Sequence, residues 1–287
     1  MEEMSGILYL CATPIGNLED ITFRVLRTLK EVDLIAAEDT RHSKRLLNHF
    51  EIKTTMTSYH EHNKEEKGKY LIDQLLAGKN IALITDAGTP AISDPGEDLV
   101  RLANDAGIVV TSLPGACALI TGLTLSGLST RRFTFEAFLP RDNKERKMLL
   151  NELIDETRTI VLYEAPHRLK KTLVDLYETL GDRRITIVRE LTKRHETVWR
   201  TSLLEGIKTY ETNEPKGEYV LILEGKSYDE LMQEKYSFWE EKSISEHMNF
   251  YMEQGITKKE AMKSVAKDRG ISKRDVYQVL INKSEER

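Results

Sequence analysis

Short apolar segments alternate with amphipathic segments through the first 113 residues, and this alternation constrains the fold more than any other feature of the sequence. Four apolar runs have the length and composition of buried strands: Ile7–Ala12, Asp33–Ala37, Ile81–Thr85 and Ile108–Leu113. Between them lie segments with helical periodicity, such as Lys64–Ala77. Apolar strands that alternate with helices form a mostly parallel sheet covered on both faces, so we predict an α/β domain over residues 1–140.

A second region begins where this pattern changes, after Pro140. A polar helical segment comes first, and a helix with proline at its start is predicted over Pro166–Leu180. Three strand-like runs then lie close together in the chain: Ile185–Arg189, Thr197–Thr201 and Tyr219–Leu223. Because closely spaced strands pair in the antiparallel direction, we predict a second α/β domain with an antiparallel part over residues 141–226.

The C-terminal part of the chain is polar and helical. Residues 226–240 are charged with scattered aromatic side chains, and we interpret them as a linker. Residues 240–287 contain three short helical segments separated by glycine turns, with Thr257 and Ser272 at expected helix caps, which is the layout of a helix-turn-helix. From Gly255 to Lys283, eight Lys and Arg residues oppose three acidic ones, whereas the whole chain has a net charge of −5. The predicted helical domain is therefore locally basic.

Composition and missing motifs argue against several classes of protein. No segment approaches the roughly 20 apolar residues of a membrane helix, and the acidic start is unlike a signal peptide, so we expect a cytoplasmic protein. Cys11 and Cys117 lie in apolar runs and are predicted to be reduced thiols. The chain has no glycine-rich phosphate-binding fingerprint and no metal-ligand spacing. We therefore expect no dinucleotide, nucleoside triphosphate or metal.

Three loops rich in small residues follow predicted strands directly. They span residues 13–18, 85–96 and 113–116. Ligands of open α/β sheets bind at the carboxyl ends of the strands, and small residues there let a ligand meet the backbone. Asp86 stands at a strand end and could accept hydrogen bonds from a ligand. The alternative is that the loops are tight turns in which Asp86 and Asp94 cap helices.

Four motifs, in matching order, resemble one known family. They read ATPIGNL at residues 12–18, AEDTR at 37–41, DAGTP at 86–90 with SDPG at 93–96, and YEAPHR at 163–168. Together they closely resemble the bacterial 16S ribosomal RNA ribose 2′-O-methyltransferases that modify a cytidine of the decoding centre, a family of the tetrapyrrole-methylase superfamily. The resemblance covers about the first 225 residues, and the helical tail resembles a small extra domain found on many members.

This resemblance implies an α/β fold of two tetrapyrrole-methylase-type domains, with S-adenosylmethionine in the cleft between them, and a small C-terminal helical domain. It also implies a homodimer. The methyl donor would be held largely by backbone groups. Matching the motifs to this sequence gives the expected donor-binding residues: Pro14, Asp86, Gly88, Thr89, Ser93, Ala116, Phe138, Leu139, Tyr163, Val220 and Leu221.

Candidate catalytic residues follow from the chemistry of methyl transfer. Displacement at a sulfonium requires the acceptor oxygen to be aligned with the methyl group, and a base or cation helps a ribose hydroxyl lose its proton. The candidates are Glu38, Asp39, Glu190 and Lys193, with Glu164 as a further one. Asp39 is the most suggestive of them. The alternative is that Asp39 only caps the helix that starts at Arg41.

Contact with RNA requires cations near the cleft. The expected RNA-binding residues are Arg41, Arg45, Arg132, Arg141, Arg168 and Arg194, together with Lys273 and Arg274 of the helical tail. The alternative for each is a solvated surface charge, and for the tail it is a module that packs on the body or on a second copy. The expected partner is 16S ribosomal RNA within the 30S subunit.

Two other functions are compatible with parts of the sequence. A tetrapyrrole C-methyltransferase would keep the fold and change the substrate, but such relatives usually carry Gly-Asp-Pro in the second loop, where this chain has Asp86-Ala87-Gly88. A non-catalytic, nucleotide-sensing regulator would use the helix-turn-helix to bind DNA. The complete set of cleft motifs favours the RNA methyltransferase.

Overall fold

A five-stranded parallel sheet forms the first half of the protein in the computed structural model, which describes residues 5–240 and 242–285. Its strands are β1 (Ile7–Cys11), β2 (Leu34–Ala37), β3 (Met56–Ser58), β4 (Ile81–Ile84) and β5 (Val109–Leu113), in the order β3-β2-β4-β1-β5. The predicted α/β class is confirmed. Strand β3 is absent from the prediction because it is three residues long, half-buried and ends in Thr57 and Ser58.

Helices cover both faces of this sheet. They are α1 (Phe23–Glu31), α2 (Thr40–His49), α3 (Lys64–Leu76) and α4 (Gly96–Asp105), and a short 3-10 helix spans Leu18–Asp20. On one face, Leu10 and Leu83 pack against α3 and α4. On the other face, Ile35 and Ile84 pack against α1 and α2. The central strands β2 and β4 are buried at every position, as expected for strands covered on both sides.

A second five-stranded sheet follows. It contains β6 (Phe133–Phe135), β7 (Thr159–Glu164), β8 (Arg184–Arg189), β9 (Thr197–Ser202) and β10 (Tyr219–Leu223), in the order β6-β7-β10-β8-β9. Only the β6–β7 pair is parallel. The helices of this half are α6 (Asn143–Glu152), α7 (Pro166–Leu180) and α8 (Leu203–Thr212). The predicted antiparallel part is present, while β6 and α8 are additions to the prediction.

Helix α5 (Ala118–Ser126) follows the last strand of the first sheet and packs on the second. Gly122 makes this approach close, because a Cβ atom there would lie 3.0 Å from Cγ1 of Val220. The Thr186 hydroxyl also donates a 3.2 Å hydrogen bond to the Ser126 carbonyl. Both sheets consequently belong to one compact unit, which holds the chain up to Leu150 together with Thr159–Glu224.

The second compact unit combines Asn151–Arg158 with the chain from Gly225 onward. Lys226 joins its two segments, since its amide donates to the Glu156 carbonyl at 2.7 Å and its ammonium pairs with Asp155 at 3.0 Å. The helices are α9 (Tyr228–Glu240), α10 (Ile244–Glu253), α11 (Lys258–Asp268) and α12 (Lys273–Glu285). Within the described residues, no helix is long and apolar enough to cross a membrane.

The last three helices agree with the predicted helical segments, and the Thr257 side chain caps α11 as expected. Residues 226–240, predicted as a charged linker, instead contain α9. The reason is that one aromatic side chain of this segment, Trp239, packs against α10. Trp239 is buried and stacks on the His247 ring at a centroid distance of 3.4 Å.

His247 is a fully buried polar residue in this unit. Its Nε2 lies 3.3 Å from the Asp268 carboxylate, and its Nδ1 accepts a 3.2 Å hydrogen bond from Arg269. This pattern requires the neutral ring with its proton on Nε2. Burial lowers the pKa of His247, although Asp268 opposes part of the shift.

The helical unit is expected to lose stability in mild acid. A lowered folded-state pKa means that the unfolded chain binds the proton first, so stability falls once the pH drops below the ordinary histidine value of about 6.5, at up to about 1.4 kcal/mol per pH unit. The chain has two tryptophans, so in a Trp199→Phe variant Trp239 fluorescence reports urea unfolding of this unit. The matched control adds His247→Phe, which keeps a ring against Trp239 but does not titrate. An unchanged pH slope in the control would contradict the assignment.

Candidate functional site

A cavity of about 570 Å³ lies within the larger unit, at the carboxyl ends of strands from both sheets. Its lining comes from the loop after β1, the loop after β4, the start of α5, the segment before α6 and the ends of β7 and β8, together with the start of β10. The residues are Ile15, Glu38, Thr85–Thr89, Ile92–Asp94, Cys117, Ala118, Phe138, Tyr163–His167, Val188, Leu191, Lys193 and Glu218–Val220.

Backbone hydrogen bonds hold the first-sheet loops together at this cavity. The amides of Thr13 and Gly88 donate to each other's carbonyls at 2.9 and 3.0 Å, forming an isolated antiparallel bridge. Gly88 has a φ of +88°, which favours glycine. The Thr89 hydroxyl donates to the Ala116 carbonyl at 3.0 Å and ties in the third loop. The three loops singled out in the sequence therefore form one surface.

Non-glycine residues with positive φ are concentrated around the same cavity. Ala91 and Ser93, both at +67°, flank Ile92, and Ala137 at +50° precedes Phe138. Glu190 and Thr192, at +54° and +63°, flank Leu191 in the same way. Such conformations cost on the order of 1–3 kcal/mol each and cluster at functional sites. The strained positions hold apolar side chains of the lining in place.

Carboxylates form one wall of the cavity. Glu38 Oε2 accepts hydrogen bonds from the Thr85 hydroxyl at 2.6 Å and the Asp86 amide at 3.4 Å. Asp86 Oδ1 in turn accepts from the Asp39 amide at 3.1 Å. Burial raises the pKa of Asp86, and the negative charge of Glu38 adds to the shift. Burial also raises the pKa of Asp94, a further acid of the lining. This wall favours a cationic group in the cavity.

Lys193 provides a cation in the same lining. Its ammonium lies 2.9 Å from Glu190 Oε1 and 2.9 Å from Glu218 Oε2. Desolvation opposes the charged form, but the hydrogen bonds that Lys193 donates to Glu190 and Glu218 outweigh it and raise the pKa of Lys193. Lys193 is therefore a permanent cation and a poor base. It lies against Gly16, where a Cβ atom would be 2.3 Å from its Cγ.

Aromatic rings form another part of the lining of the first cavity. The Tyr163 ring lies edge-on to those of Phe135 and Phe138, at centroid distances of 4.9 and 5.7 Å. Its hydroxyl accepts a 3.0 Å hydrogen bond from the Leu119 amide in the first turn of α5. Burial raises the pKa of Tyr163 to about 12, so the hydroxyl stays protonated. Tyr163 thus joins the second sheet to the helix that follows the first.

A second cavity, of about 530 Å³, shares a wall with the first. The shared residues are Ile15, Thr85, Asp86, Ala87, Lys193 and Glu218. The remaining lining of the second cavity comes from residues 13–18 and from α2, which contributes His42, Arg45 and His49. The two cavities therefore differ in chemistry: the first is apolar and acidic, and the second carries basic side chains.

The structure brings most of the expected donor-binding residues into the first cavity. These are Asp86, Gly88, Thr89, Ser93, Phe138, Tyr163 and Val220. Pro14 lines the second cavity instead. Ala116 meets the site only by accepting the bond from Thr89. Leu139 and Leu221 are buried outside the lining. For Leu221 the reason is strand parity, because neighbours on β10 face opposite sides of the sheet and Val220 takes the cavity side.

The expected catalytic residues separate into two kinds. Glu38 and Lys193 line the cavity, whereas Asp39 and Glu190 do not. Asp39 caps α2 and forms an ion pair of 2.8 Å with Arg41, and the hydrogen bonds from Arg41 hold the pKa of Asp39 well below its ordinary value. Glu190 is held by Lys193. The capping alternative for Asp39 is thus the observed geometry, and its amide supports Asp86.

The expected RNA-binding residues also differ in their surroundings. Arg45 lines the second cavity. The Arg168 guanidinium forms bonds within the protein: it lies 3.5 Å from Glu164 and donates to the Leu139 and Pro140 carbonyls. The others are exposed or half-exposed: Arg41, Arg132, Arg141, Arg194, Lys273 and Arg274. Sequence reasoning missed Glu218 as a lining residue, although it lies two positions before Val220, an expected donor-binding residue.

Comparison with known proteins identifies relatives. Residues 7–205 match the family described as Tetrapyrrole (Corrin/Porphyrin) Methylases. The chain is 52% identical over 274 residues to the protein named Ribosomal RNA small subunit methyltransferase I of Halalkalibacterium halodurans, a match covering 96% of this chain and 94% of the relative. It is 49% identical over 272 residues to the protein of the same name from Bacillus subtilis, covering 95% and 93%.

Solved structures with a similar fold include a diphthine synthase, with a TM-score of 0.60 and 16% identity over 77% of this chain and 90% of that chain. A uroporphyrin-III C-methyltransferase from Thermus thermophilus has a TM-score of 0.55 and 19% identity, covering 76% and 94%. At these identities the likeness concerns the fold. It confirms the predicted arrangement of the two α/β halves.

Tyr163→Phe is expected to destabilise the larger unit by about 1–3 kcal/mol, because the Leu119 amide loses its acceptor while the rest of the ring remains. Urea unfolding followed by circular dichroism measures the loss. Tyr70→Phe is the matched control, since Tyr70 is 42% exposed on α3. Equal stabilities of the two variants would mean that the Tyr163 hydroxyl does not support the cavity wall.

Proposed function

Because the chain belongs to the tetrapyrrole (corrin/porphyrin) methylase family, we propose that it uses S-adenosylmethionine to methylate the 2′-oxygen of a cytidine ribose in the decoding region of 16S ribosomal RNA. Relatives with about half of their residues identical carry the name ribosomal RNA small subunit methyltransferase I, which supports ribosomal RNA as the substrate. The observation that carries the proposal is the pair of adjoining cavities, one suited to a cationic donor and the other to an anionic acceptor.

The first cavity fits the methyl donor in charge and polarity. S-adenosylmethionine carries a positive sulfonium and an ammonium, and Glu38 and Asp94 provide the opposing charges. The rings of Phe138 and Tyr163 offer an apolar surface for the adenine. Gly88, Thr89, Ser93 and the carbonyls near Ala116 bring the backbone to the ligand. When bound, the donor supplies a methyl group that is already activated for displacement.

The second cavity fits a nucleotide. His42, Arg45 and His49 present basic side chains to phosphate oxygens, and Pro14 and Gly16 form the opposite side. A ribose seated there reaches the donor across Asp86 and the neighbouring residues of the shared wall. A nucleotide has to leave its stack to enter such a cavity, as other enzymes that modify nucleotides require.

Asp86 is the group best placed to take the proton of the 2′-hydroxyl. It lies on the shared wall, and burial together with Glu38 makes it more basic than an ordinary aspartate. The Asp39 amide orients Asp86 through the bond to Oδ1. Lys193 keeps its proton and stabilises negative charge near the acceptor, while Glu190 and Glu218 position its ammonium.

The partners form part of the same proposal. The enzyme acts in the cytoplasm as a homodimer on 16S RNA within the 30S subunit. Its exposed cations Arg41, Arg132 and Arg194 contact phosphates of the particle. Lys273 and Arg274, at the start of α12, extend the contact through the helical unit. Spread-out contacts suit a chain whose net charge is negative, because a single basic face would not be expected on it.

A methyl-transfer assay with labelled S-adenosylmethionine tests the proposal. The substrates are 30S subunits that lack the modification, naked 16S RNA and a tetrapyrrole precursor. Label is expected in a 2′-O-methylcytidine from the subunits. Label in the tetrapyrrole alone would mean that the enzyme methylates a tetrapyrrole and not ribosomal RNA. Donor binding without transfer to any substrate would favour a regulator.

Asp86→Asn is expected to lower kcat by about 10²–10⁴-fold, because the amide can still accept the Asp39 hydrogen bond but cannot take a proton. In the wild type, activity is expected to decrease as the pH is lowered through the raised pKa of Asp86, because the protonated carboxyl cannot act as a base. The pH–activity profile of the variant should lack this decrease. Asp73→Asn on the exposed face of α3 is the control. A variant that keeps the kcat and pH profile of the wild type would rule out Asp86 as the base.

A further inference from the structure

A third cavity, of about 420 Å³, lies where the segment before α6 meets the first turns of α7. Its lining consists of Pro140, Arg141, Arg146, His167, Arg168, Lys171 and Thr172. Basic side chains therefore dominate the lining, and no acidic residue belongs to it. His167 lines both this cavity and the first one, so the two open beside each other.

The floor of the third cavity is rigid and its charges are compensated. Arg146 is 5% exposed, and its guanidinium donates to Asp175 at 2.6 Å and to the Thr172 hydroxyl at 2.8 Å. Arg168 pairs with the buried Glu164, whose other oxygen accepts from Thr172. This chain of bonds fixes two guanidinium groups beneath the cavity. Buried, paired arginines of this kind present their remaining N–H groups in a fixed geometry.

The rim carries charges that are not compensated. Arg141 and Lys171 are exposed, and within residues 5–240 and 242–285 neither forms an ion pair with a carboxylate. Lys171 donates to the Asn143 side chain at 3.0 Å, which holds it over the cavity. Asp142, next to Arg141, is occupied by the amides of Lys144 and Glu145. Four permanent cations thus face the two paired carboxylates Glu164 and Asp175, and Asp142 adds a third, which leaves a net positive charge at a concave site.

We propose that this cavity binds a phosphodiester group of the RNA strand that enters the active site. Three guanidinium groups, an ammonium and an imidazole around a concave surface match the donors that phosphate oxygens require. The third cavity adjoins the donor cavity, and the donor cavity shares a wall with the nucleotide cavity, so this arrangement favours RNA as the source of the phosphate. This inference rests on the proposed function, and it adds a phosphate-binding site that orients the strand.

The test compares two double variants. Arg141→Gln with Lys171→Gln removes the uncompensated rim charges, and Lys144→Gln with Lys147→Gln removes two exposed charges of α6 outside the cavity. Filter binding to unmodified 30S subunits at several salt concentrations gives the affinity and its salt dependence. The rim variant is expected to bind on the order of tenfold more weakly, with a log–log salt slope smaller by about one, and to raise KM for the subunit.

A rim variant that matches the control in affinity and salt slope would overturn the phosphate site, while unimpaired methylation would leave the proposed function standing. Wild-type protein that binds subunits with the expected salt slope but never methylates them would reject the proposed function and retain the site. Inorganic phosphate that competes with the subunit only at molar concentration would agree with a site for a strand. Thermal unfolding of both variants checks that the exposed substitutions leave the fold intact.

Discussion

The bridge between Thr13 and Gly88 is the interaction on which the rest of the site depends. It pairs the loop after β1 with the loop after β4, two central strands of the parallel sheet, and the Thr13 hydroxyl adds a 3.1 Å bond to the Thr85 carbonyl. Thr13 is 2% exposed, so these groups would be unsatisfied if the loops separated. The acidic residues Glu38, Asp86 and Asp94 are positioned relative to this pair of loops.

Charge is distributed around the cavities in a way that separates two tasks. Glu38, Asp86 and Asp94 follow strands of the first sheet, where backbone amides donate hydrogen bonds to all three, and Glu164 and Glu218 come from the second sheet. The cations come from α2, from the loop after β8 and from α7. A positively charged donor is thereby drawn to the acidic residues, and a negatively charged strand to the basic ones. Lys193 lies on the wall that the two cavities share, and the carboxylates of Glu190 and Glu218 outnumber its positive charge, so it does not attract the strand into the donor cavity.

The sequence predicts the long, strongly patterned parts of this molecule and fails where information comes from distant residues. Apolar runs such as Ile81–Thr85 identify buried strands by themselves, whereas β3 and β6 are three residues long and gain their pairing from neighbours. Helix α9 is not predicted because its segment has no apolar stripe. Its Trp239 instead contacts His247 and Phe250 of α10. The motifs locate the cavity, but they do not show that Val220 and Glu38 line it while their neighbours Leu221 and Asp39 do not, because this depends on side-chain direction. The partners of Lys193 lie 3 and 25 positions away and have no local signal.

The smaller unit consists of two segments that are far apart in the chain, and this has a consequence for biosynthesis. Asn151–Arg158 leaves the ribosome well before Gly225 and the helices with which it forms a unit. In the finished protein this segment is bound by Lys226 through Glu156 and Asp155, and these contacts cannot form while β7 to β10 are being made. Domains fold as their residues emerge, so the larger unit can form first and the smaller one only after translation has nearly finished. A nascent chain stalled before Gly225 would expose this short segment to chaperones and proteases.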